Sequence, residues 1–451
     1  MGVRSTSSEA MIATCEQVLG TANVCPADQL TATWKAAIAR ALTPDQAIAG
    51  LVLPTTQAEL AAIVTTAHQH QWRILPCGAG SKLDWGGLVG ASQPGESPMI
   101  AISTDRMNRV IDHAVGDLTV TVEAGMKFAD LQALLAQAGQ FLAIDPAFPD
   151  QATIGGIVAT ADTGSLRHRY ASVRDMLLGI SWVRADGQLA KAGGRVVKNV
   201  AGYDLMKLFT GSYGTLGVIS QVTFRVYPLP EASQTVVLSG TADAIAQATQ
   251  TLLSSALTPI SCDLIAGRVV QELQIAGEIG LLVRFQGLRS SVLQQVERVI
   301  EVGQTLNLHH ATAVETSEQD LWRQLREQMT IASREQAITC KIGVRASDAV
   351  MCLKQLPGLG MSTWSVQIHA ASGLGRLVIA DPALPTNTLL KIRTLCQIKS
   401  GFLSILQAPT AVKQQVEVWG YAGNALEMMQ RIKQQFDPHT LLSPHRFVGG
   451  I

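Results

Sequence analysis

The chain has 451 residues, 47% of them hydrophobic, with 35 Lys plus Arg against 35 Asp plus Glu. That length is too great for one compact core and predicts two or three domains, while the charge balance excludes a global field that would draw the chain to nucleic acid or to an anionic membrane. Its seven cysteines (Cys15, Cys25, Cys77, Cys262, Cys340, Cys352 and Cys396) are odd in number and never spaced C-x-x-C, which argues against a disulfide framework, a zinc site or an iron–sulfur cluster and fits a reducing cytoplasm.

Residues 1–45 are rich in Ala, Thr and Ser, show a helical pattern over 34–42 and carry no recognisable chemistry; they read as an extension packed on the main body. They hold no long apolar run of signal-peptide type, and nowhere do about 18 uncharged apolar residues follow one another as a membrane span requires. Thr56 and Glu59 then have capping-box spacing, and Leu60, Ile63, Val64 and Ala67 recur on one face, which predicts a helix. An apolar strand follows and runs into a loop at Arg73-Ile74-Leu75-Pro76-Cys77-Gly78-Ala79-Gly80-Ser81-Lys82. Glycines on both sides of Ala79 let successive backbone N–H groups point at one spot, and an anion fills such a spot. The alternative, an ordinary tight turn, stays open, and neither G-x-G-x-x-G nor G-x-x-x-x-G-K-[ST] occurs here.

Leu118, Val120 and Val122 alternate with Thr119, Thr121 and Glu123, the pattern of a half-buried strand, and Phe128, Leu131, Leu134 and Leu135 give a helical face. Asp186-Gly187, between apolar runs at 180–184 and Leu189, predicts a hairpin. Val222, Phe224 and Val226 alternate until Pro228-Leu229-Pro230 stops the strand and marks a domain boundary. Beyond it, strand-like runs at 235–238, 281–285, 342–345, 365–369 and 376–379 alternate with helical ones. One helical face carries Val292, Val296, Val299 and Ile300, another Ile245, Leu252 and Leu253. Together they predict an antiparallel sheet backed by helices. A helix over about 424–436 and a tail over 437–451 end the chain. The class is α+β, with an N-terminal helical extension over 1–45, a first large domain over 46–230, a second α+β domain over 231–410, and a C-terminal helix and tail over 411–451 that return to the first.

Three glycine-bearing segments lie in the first large domain: 78–82, the stretch from Asp145-Pro146 to Gly155-Gly156 with Ala159 and Gly164 after it, and 211–219. Glycine permits backbone approach to an extended phosphorylated cofactor at several places, although turns of a glycine-rich sheet protein give the same spacing. The ordered set PCGAGSK, DPAFPDQATIGG, ASVRDMLLG, GGRVVKNVAGYDL and GSYGTLGVISQVTF resembles the FAD-binding domain of the vanillyl-alcohol-oxidase (PCMH-type) superfamily, and within it the FAD-binding E subunits of bacterial glycolate oxidases. The resemblance covers residues 45–230 well, the middle domain weakly and the tail moderately.

It implies a two-lobed PCMH-type FAD-binding domain followed by an α+β cap domain with an antiparallel sheet. Gly78, Ala79, Gly80, Ser81 and Lys82 would cradle the FAD pyrophosphate. Pro146, Thr153, Ile154, Gly155, Gly156, Ala159, Ala161 and Gly164 would line the pyrophosphate and ring, and Val173, Gly214 and Ile219 would meet the adenosine or pyrimidine end. Relatives that tether FAD covalently place a histidine in the glycine loop, where this chain has Ser81, so the flavin is expected to be non-covalent. The tail resembles the family's closing Asn-Pro-Gly turn, with Ser443 and His445 in place of Asn and Gly.

Oxidising a 2-hydroxy acid requires a cation for the carboxylate, a base or metal for the hydroxyl proton and a flavin to receive the hydride. Catalytic relatives carry His-x-Gly-Asp-Gly-Asn-x-His, whereas 369–376 here reads His369-Ala370-Ala371-Ser372-Gly373-Leu374-Gly375-Arg376, and no Gly-Glu-His occurs. No metal site is expected, and His369 reads first as a histidine satisfied at a strand end. Lys198, His369 and Arg376 are the candidate catalytic side chains; the His309-His310 pair reads as surface. The resemblance implies an accessory FAD subunit of a glycolate (2-hydroxy acid) oxidising complex, partnered by a D-like catalytic flavoprotein and an F-like iron–sulfur subunit, cytoplasmic and associated with a membrane at most peripherally through that complex. The alternatives are an autonomous FAD-dependent dehydrogenase of another hydroxy acid or alcohol, and a non-redox assembly module that keeps the fold.

Overall fold

The computed structural model of the chain describes residues 2–90, 98–195, 202–330, 337–381 and 383–451. It divides into two compact units, one made of Met1–Thr163, Ser172–Pro228 and Ala422–Ile451, the other of Gly164–Ala171 and Leu229–Tyr421.

The first unit contains two main sheets. Strands β1 (Val24–Pro26), β2 (Gly50–Val52), β3 (Arg73–Cys77) and β4 (Met99–Ser103) form the first, in the order β1-β2-β4-β3. β2, β4 and β3 run parallel and β1 pairs antiparallel at the edge. The helix Gln57–Gln69 makes the crossover from β2 to β3; Thr56 caps it by accepting the Glu59 N–H, and Glu59 reaches back to the N–H and hydroxyl of Thr55 at 2.7 and 2.8 Å. A parallel sheet must be covered on both faces. Leu60, Ile63, Val64 and Ala67 cover one with Met11 and Cys15, against Ile74, Ile100 and Ile102. Ala37, Ile38 and Ala41 cover the other, against Leu75, Met99 and Ala101. Residues 1–45 thus belong to both cores of this unit.

The second sheet is antiparallel throughout. Its strands are β5 (Val110–Ala114), β6 (Thr119–Glu123), β8 (Leu177–Val183), β9 (Leu189–Gly193) and β10 (Val218–Arg225), in the order β5-β6-β10-β8-β9, and β7 (Gln140–Phe141) pairs separately with β11 (Tyr227–Pro228). β6 is buried on both faces rather than one. Its polar face is closed by side-chain partners: Thr121 and Thr223 hydroxyls meet at 2.9 Å, and Arg109 grips the Glu123 carboxylate at 2.8 and 3.1 Å. Pro228 is itself a strand residue, opposite Gln140, so the chain pairs once more before it leaves this unit.

The C-terminal segment returns to β3. After the helix Leu426–Phe436, Leu441 accepts the Ile74 N–H at 2.7 Å and the Ser443 N–H donates to the Ile74 carbonyl at 2.9 Å. The buried Lys433 ammonium holds the turn, donating to Asp437 Oδ2 at 2.6 Å and to the Thr215 and Leu442 carbonyls, each at 2.9 Å. Asp437 also accepts the N–H groups of Leu441 and Leu442.

The second unit is built on one eight-stranded antiparallel sheet: β12 (Ala232–Gly240), β13 (Ser261–Gly267), β14 (Ile279–Gly287), β15 (His309–Val314), β16 (Ile338–Gly343), β17 (Trp364–His369), β18 (Leu374–Ile379) and β19 (Phe402–Gln407), in the order β15-β12-β14-β13-β17-β18-β16-β19. Strand alternation gives it two unlike faces. On one, Val236, Leu264, Leu281, Val283, Ile368 and Leu377 share a continuous apolar core with Ile245, Val292, Val296, Cys352 and Ile392 from four helices. On the other, a small cluster of Val237, Ile265, Leu282 and Val378 is covered by Val269, Val270, Leu325 and Met329, and Asp263, Gln367, His369, Arg376 and Lys341 stand on the rest. The exposed pair His309-His310 lies at the edge strand β15.

Candidate functional site

A cleft opens in the first unit. All three glycine-bearing segments reach it. Its walls are Gly78, Ala79, Gly80, Ser81 and Lys82; then Thr153, Gly155, Gly156 and Ala159; then Tyr213, Gly214, Gly217 and Ile219. The second and third are tied together, because the N–H groups of Gly211 and Tyr213 donate to the carbonyls of Val158 and Ala159, each at 2.9 Å.

The loop after β3 has the property a polyanion requires. Among the described residues, the N–H groups of Gly78, Ala79, Gly80 and Ser81 donate to no protein acceptor, and such a run of unpaired amides is stable only against water or an anion. Ser103 Oγ pins the loop through the Gly78 carbonyl at 2.9 Å. Gly80 has φ +80°, and a Cβ on Gly78 would stand 1.9 Å from Thr153 Oγ1, so only glycine lets these two walls approach. The amides of Ile154 and Gly155 are already used, by the Met126 and Ala124 carbonyls. The first loop therefore offers a run of donors open to a ligand, which Ile154 and Gly155 do not.

Two cations border the cleft. Lys82 is buried with its ammonium 3.0 Å from Asp162, whose carboxylate also takes the Ala147 N–H. Arg446, from the tail, donates to the carbonyls of Leu83 and Trp85 at 2.6 and 3.3 Å, and burial pulls its pKa down from the usual guanidinium value. Arg446, Tyr213 and Asp162 are site residues that spacing did not single out, because each joins through contacts distant in sequence. Pro146, Ile154, Ala161, Gly164 and Val173 are not among the residues lining the cleft; Gly164 belongs to the second unit. Lys198 lies outside the described residues.

The remaining two candidates stand on the polar face of the second unit. His369 ends β17, and its Nδ1 is 2.7 Å from Oδ1 of the fully buried Asp263. Gln367 donates to Asp263 Oδ2 and to Ser165 Oγ, each at 2.9 Å. Burial alone would raise the Asp263 pKa, but the His369 charge and the hydrogen bonds from His369, Ser165 and Gln367 outweigh it and hold the carboxyl below its ordinary value. A depressed carboxyl pKa contributes stability that is fully present above the unfolded value and lost as pH falls through the folded one. The second unit is therefore expected to lose melting temperature steeply below about pH 4, and Asp263→Asn to flatten that slope, as thermal melts between pH 3 and 6 would show. Arg376 is half-buried on β18. Among the described residues no group of three or more His, Cys, Asp or Glu is arranged to hold a metal, and no helix is long and apolar enough to cross a membrane.

Residues 48–193 match the family model of an FAD binding domain, and residues 417–447 that of the C-terminal domain of FAD linked oxidases. The chain is 30% identical over 240 residues to glycolate oxidase subunit GlcD of Bacillus subtilis (strain 168), covering 53% of this chain and 49% of that protein. It is 39% identical over 125 residues to glycolate oxidase subunit GlcE of Escherichia coli (strain K12), covering 28% of this chain and 36% of that one. Over 433 residues it is 24% identical to a mitochondrial D-lactate dehydrogenase [cytochrome] of Arabidopsis thaliana, covering 88% and 73%. The chain thus spans half or less of the length of the curated relatives with the stronger local match. Its fold is that of p-cresol methylhydroxylase, with a TM-score of 0.72 at 15% identity, covering 99% of this chain and 97% of that one. The amide-lined cleft, the matched domains and the shared fold agree: FAD is the cofactor, residues 48–193 form an FAD binding domain, and the chain is similar to FAD-linked oxidoreductases and shares the fold of p-cresol methylhydroxylase.

Proposed function

We propose that the chain is the FAD-binding subunit of a complex that oxidises a small 2-hydroxy acid such as glycolate, with a D-like flavoprotein and an F-like iron–sulfur subunit as its partners. The observation that carries this reading is the row of open amides at Gly78–Ser81 in a cleft bordered by Lys82 and Arg446, within a chain related to two glycolate oxidase subunits. The loop amides hold the pyrophosphate, and the two cations lower the energy of its negative charge. Bound there, FAD supplies the acceptor for two electrons. A second reading, that this chain oxidises the hydroxy acid itself, is favoured by the buried Asp263–His369 pair.

Co-purification with a D-like and an F-like subunit, and loss of glycolate-driven dye reduction when this chain is left out, test the first reading. Flavin bleaching of the isolated chain by anaerobic glycolate or D-lactate would establish the second, and a colourless chain that takes up no FAD would exclude both.

The flavin is held without a covalent bond. No histidine is among the described residues lining the cleft, and burial raises the Cys77 thiol there from 9.0 to about 12, which keeps it protonated and a poor nucleophile. Acid precipitation is expected to release all of the yellow chromophore into the supernatant; colour retained in the pellet contradicts this.

A further inference from the structure

Residues 1–45 carry no chemistry readable from their sequence and lie outside the 48–193 stretch matched by the FAD binding domain model. In the structure they reach the glycine loop. The helix Ala32–Ala41, whose first turn is capped by the Thr31 side chain, buries Ala37, Ile38 and Ala41 in one cluster with Leu75, Leu83 and Val89. Trp34 is half-buried against that cluster, and three atoms of its indole stand 3.0, 3.3 and 3.6 Å from where a Cβ on Gly80 would be. The ring thus packs on the bare α-carbon of Gly80, at φ +80°, which no other residue type could offer. Trp34 is not among the residues lining the cleft, so it meets the loop from outside it.

The same segment holds the chain just beyond the loop at two further points. Arg40 Nε is 3.0 Å from Asp84 Oδ2. Val89 donates its N–H to the Ala41 carbonyl at 2.8 Å and accepts the Thr43 N–H at 3.0 Å. These contacts matter because the loop does not order itself. Amides left open for an anion are amides not spent on the loop's own hydrogen bonds. Ser103 pins the loop at the Gly78 carbonyl, and the Leu83 N–H closes a turn on the Gly80 carbonyl at 3.2 Å. Between those two points packing has to fix the backbone, and Trp34 on Gly80 supplies it. A constellation of donors held in place before its ligand arrives binds more tightly, because little ordering is left to be done on binding.

We propose that Trp34 is a positioning residue of the FAD site, holding the backbone at Gly80 so that the open amides of 78–81 are set for the pyrophosphate before the cofactor binds. The helix Ala32–Ala41 is the clamp that carries it. Trp34 acts through the loop, and the inference rests on the reading that this loop holds FAD.

Fluorescence titration with FAD, thermal melts and amide exchange of the full chain test this without recourse to turnover. Trp34→Ala is expected to weaken FAD binding at least tenfold, and Trp34→Phe, which keeps a ring over Gly80, to stay within threefold of the wild type. Val64→Ala, buried on the other face of the same sheet, is the control for lost packing: it is expected to lower the melting temperature and to leave FAD affinity unchanged. At saturating FAD the peptide spanning 78–82 is expected to exchange at least fivefold faster in Trp34→Ala than in the wild type, with the helix Gln57–Gln69 unaltered. Wild-type affinity in Trp34→Ala overturns the inference, and so does an equal loss of affinity in Val64→Ala, which would make the effect one of general stability. A wild-type chain that binds FAD without protecting 78–82 overturns the loop reading and the inference with it, whereas protection of 78–82 that is the same in the wild type and Trp34→Ala overturns the inference alone.

Discussion

Gly78→Ala is expected to give a folded chain that loses FAD affinity by a hundredfold or more. Its Cβ would stand 1.9 Å from Thr153 Oγ1 and 2.9 Å from both Thr153 Cβ and Cγ2, so the loop, Thr153 or both must move. Thr153 cannot yield cheaply, because it is buried and its hydroxyl caps the helix Ile154–Thr160 by accepting the Gly156 N–H. Displacing the loop moves the open amides of residues 78–81, and each misaimed donor weakens a charge-assisted hydrogen bond. The overpacking itself costs about 1–3 kcal/mol of stability. Removing the obstructing hydroxyl relieves part of it, so Gly78→Ala with Thr153→Ala is expected to cost less than the sum of the two single changes. Gly116→Ala is the control, since a Cβ there meets nothing within 4 Å. Fluorescence titration with FAD and thermal melts of the four variants check both effects; wild-type affinity in Gly78→Ala would refute the close approach of the two walls.

Lys433→Met is expected to destabilise the first unit by about 3–5 kcal/mol, because it leaves the fully buried Asp437 carboxylate without its cation. Desolvation lowers the Lys433 pKa and the Asp437 charge opposes that shift, so the ammonium and carboxylate depend on each other. Their contacts to Thr215, Leu441 and Leu442 fold the tail against β3, and the same tail carries Arg446 to the cleft. The melting temperature of the first unit is expected to fall by roughly 10 °C, with faster proteolysis within 437–451 and weaker FAD binding. An unchanged melting transition in Lys433→Met would show that the knot contributes little.

Local rules that act over a few residues made much of this legible. Thr56, Leu60, Ile63, Val64 and Ala67 announce their helix because capping and the 3.6-residue period need no distant partner. The Asp186-Gly187 turn announces the β8–β9 hairpin for the same reason, with Gly187 at φ +86°. Glycine placement at 78–81 predicts a loop with outward-facing amides, and the structure leaves the N–H groups of Gly78, Ala79, Gly80 and Ser81 without a protein acceptor among the described residues. Where long-range partners decide, the pattern misleads. β6 alternates like a half-exposed strand but is buried on both faces, since Thr223 and Arg109 satisfy its polar side. Asp263, Ser165 and His168 gave no signal: Asp263 lies about 100 residues from Ser165 and His168 on one side and from His369 on the other, and only the β13–β17 pairing brings Asp263 opposite His369. The 164–171 segment belongs to the second unit although the chain on both sides of it belongs to the first, which no local rule foretells.

The central claim is that main-chain amides at 78–81 hold the FAD pyrophosphate. Amide hydrogen exchange of the full chain with and without FAD measures this directly, because those N–H groups have no protein acceptor to slow them. Strong FAD-dependent protection of the peptide spanning 78–82 is the result expected; stoichiometric FAD binding with exchange there unchanged would contradict it.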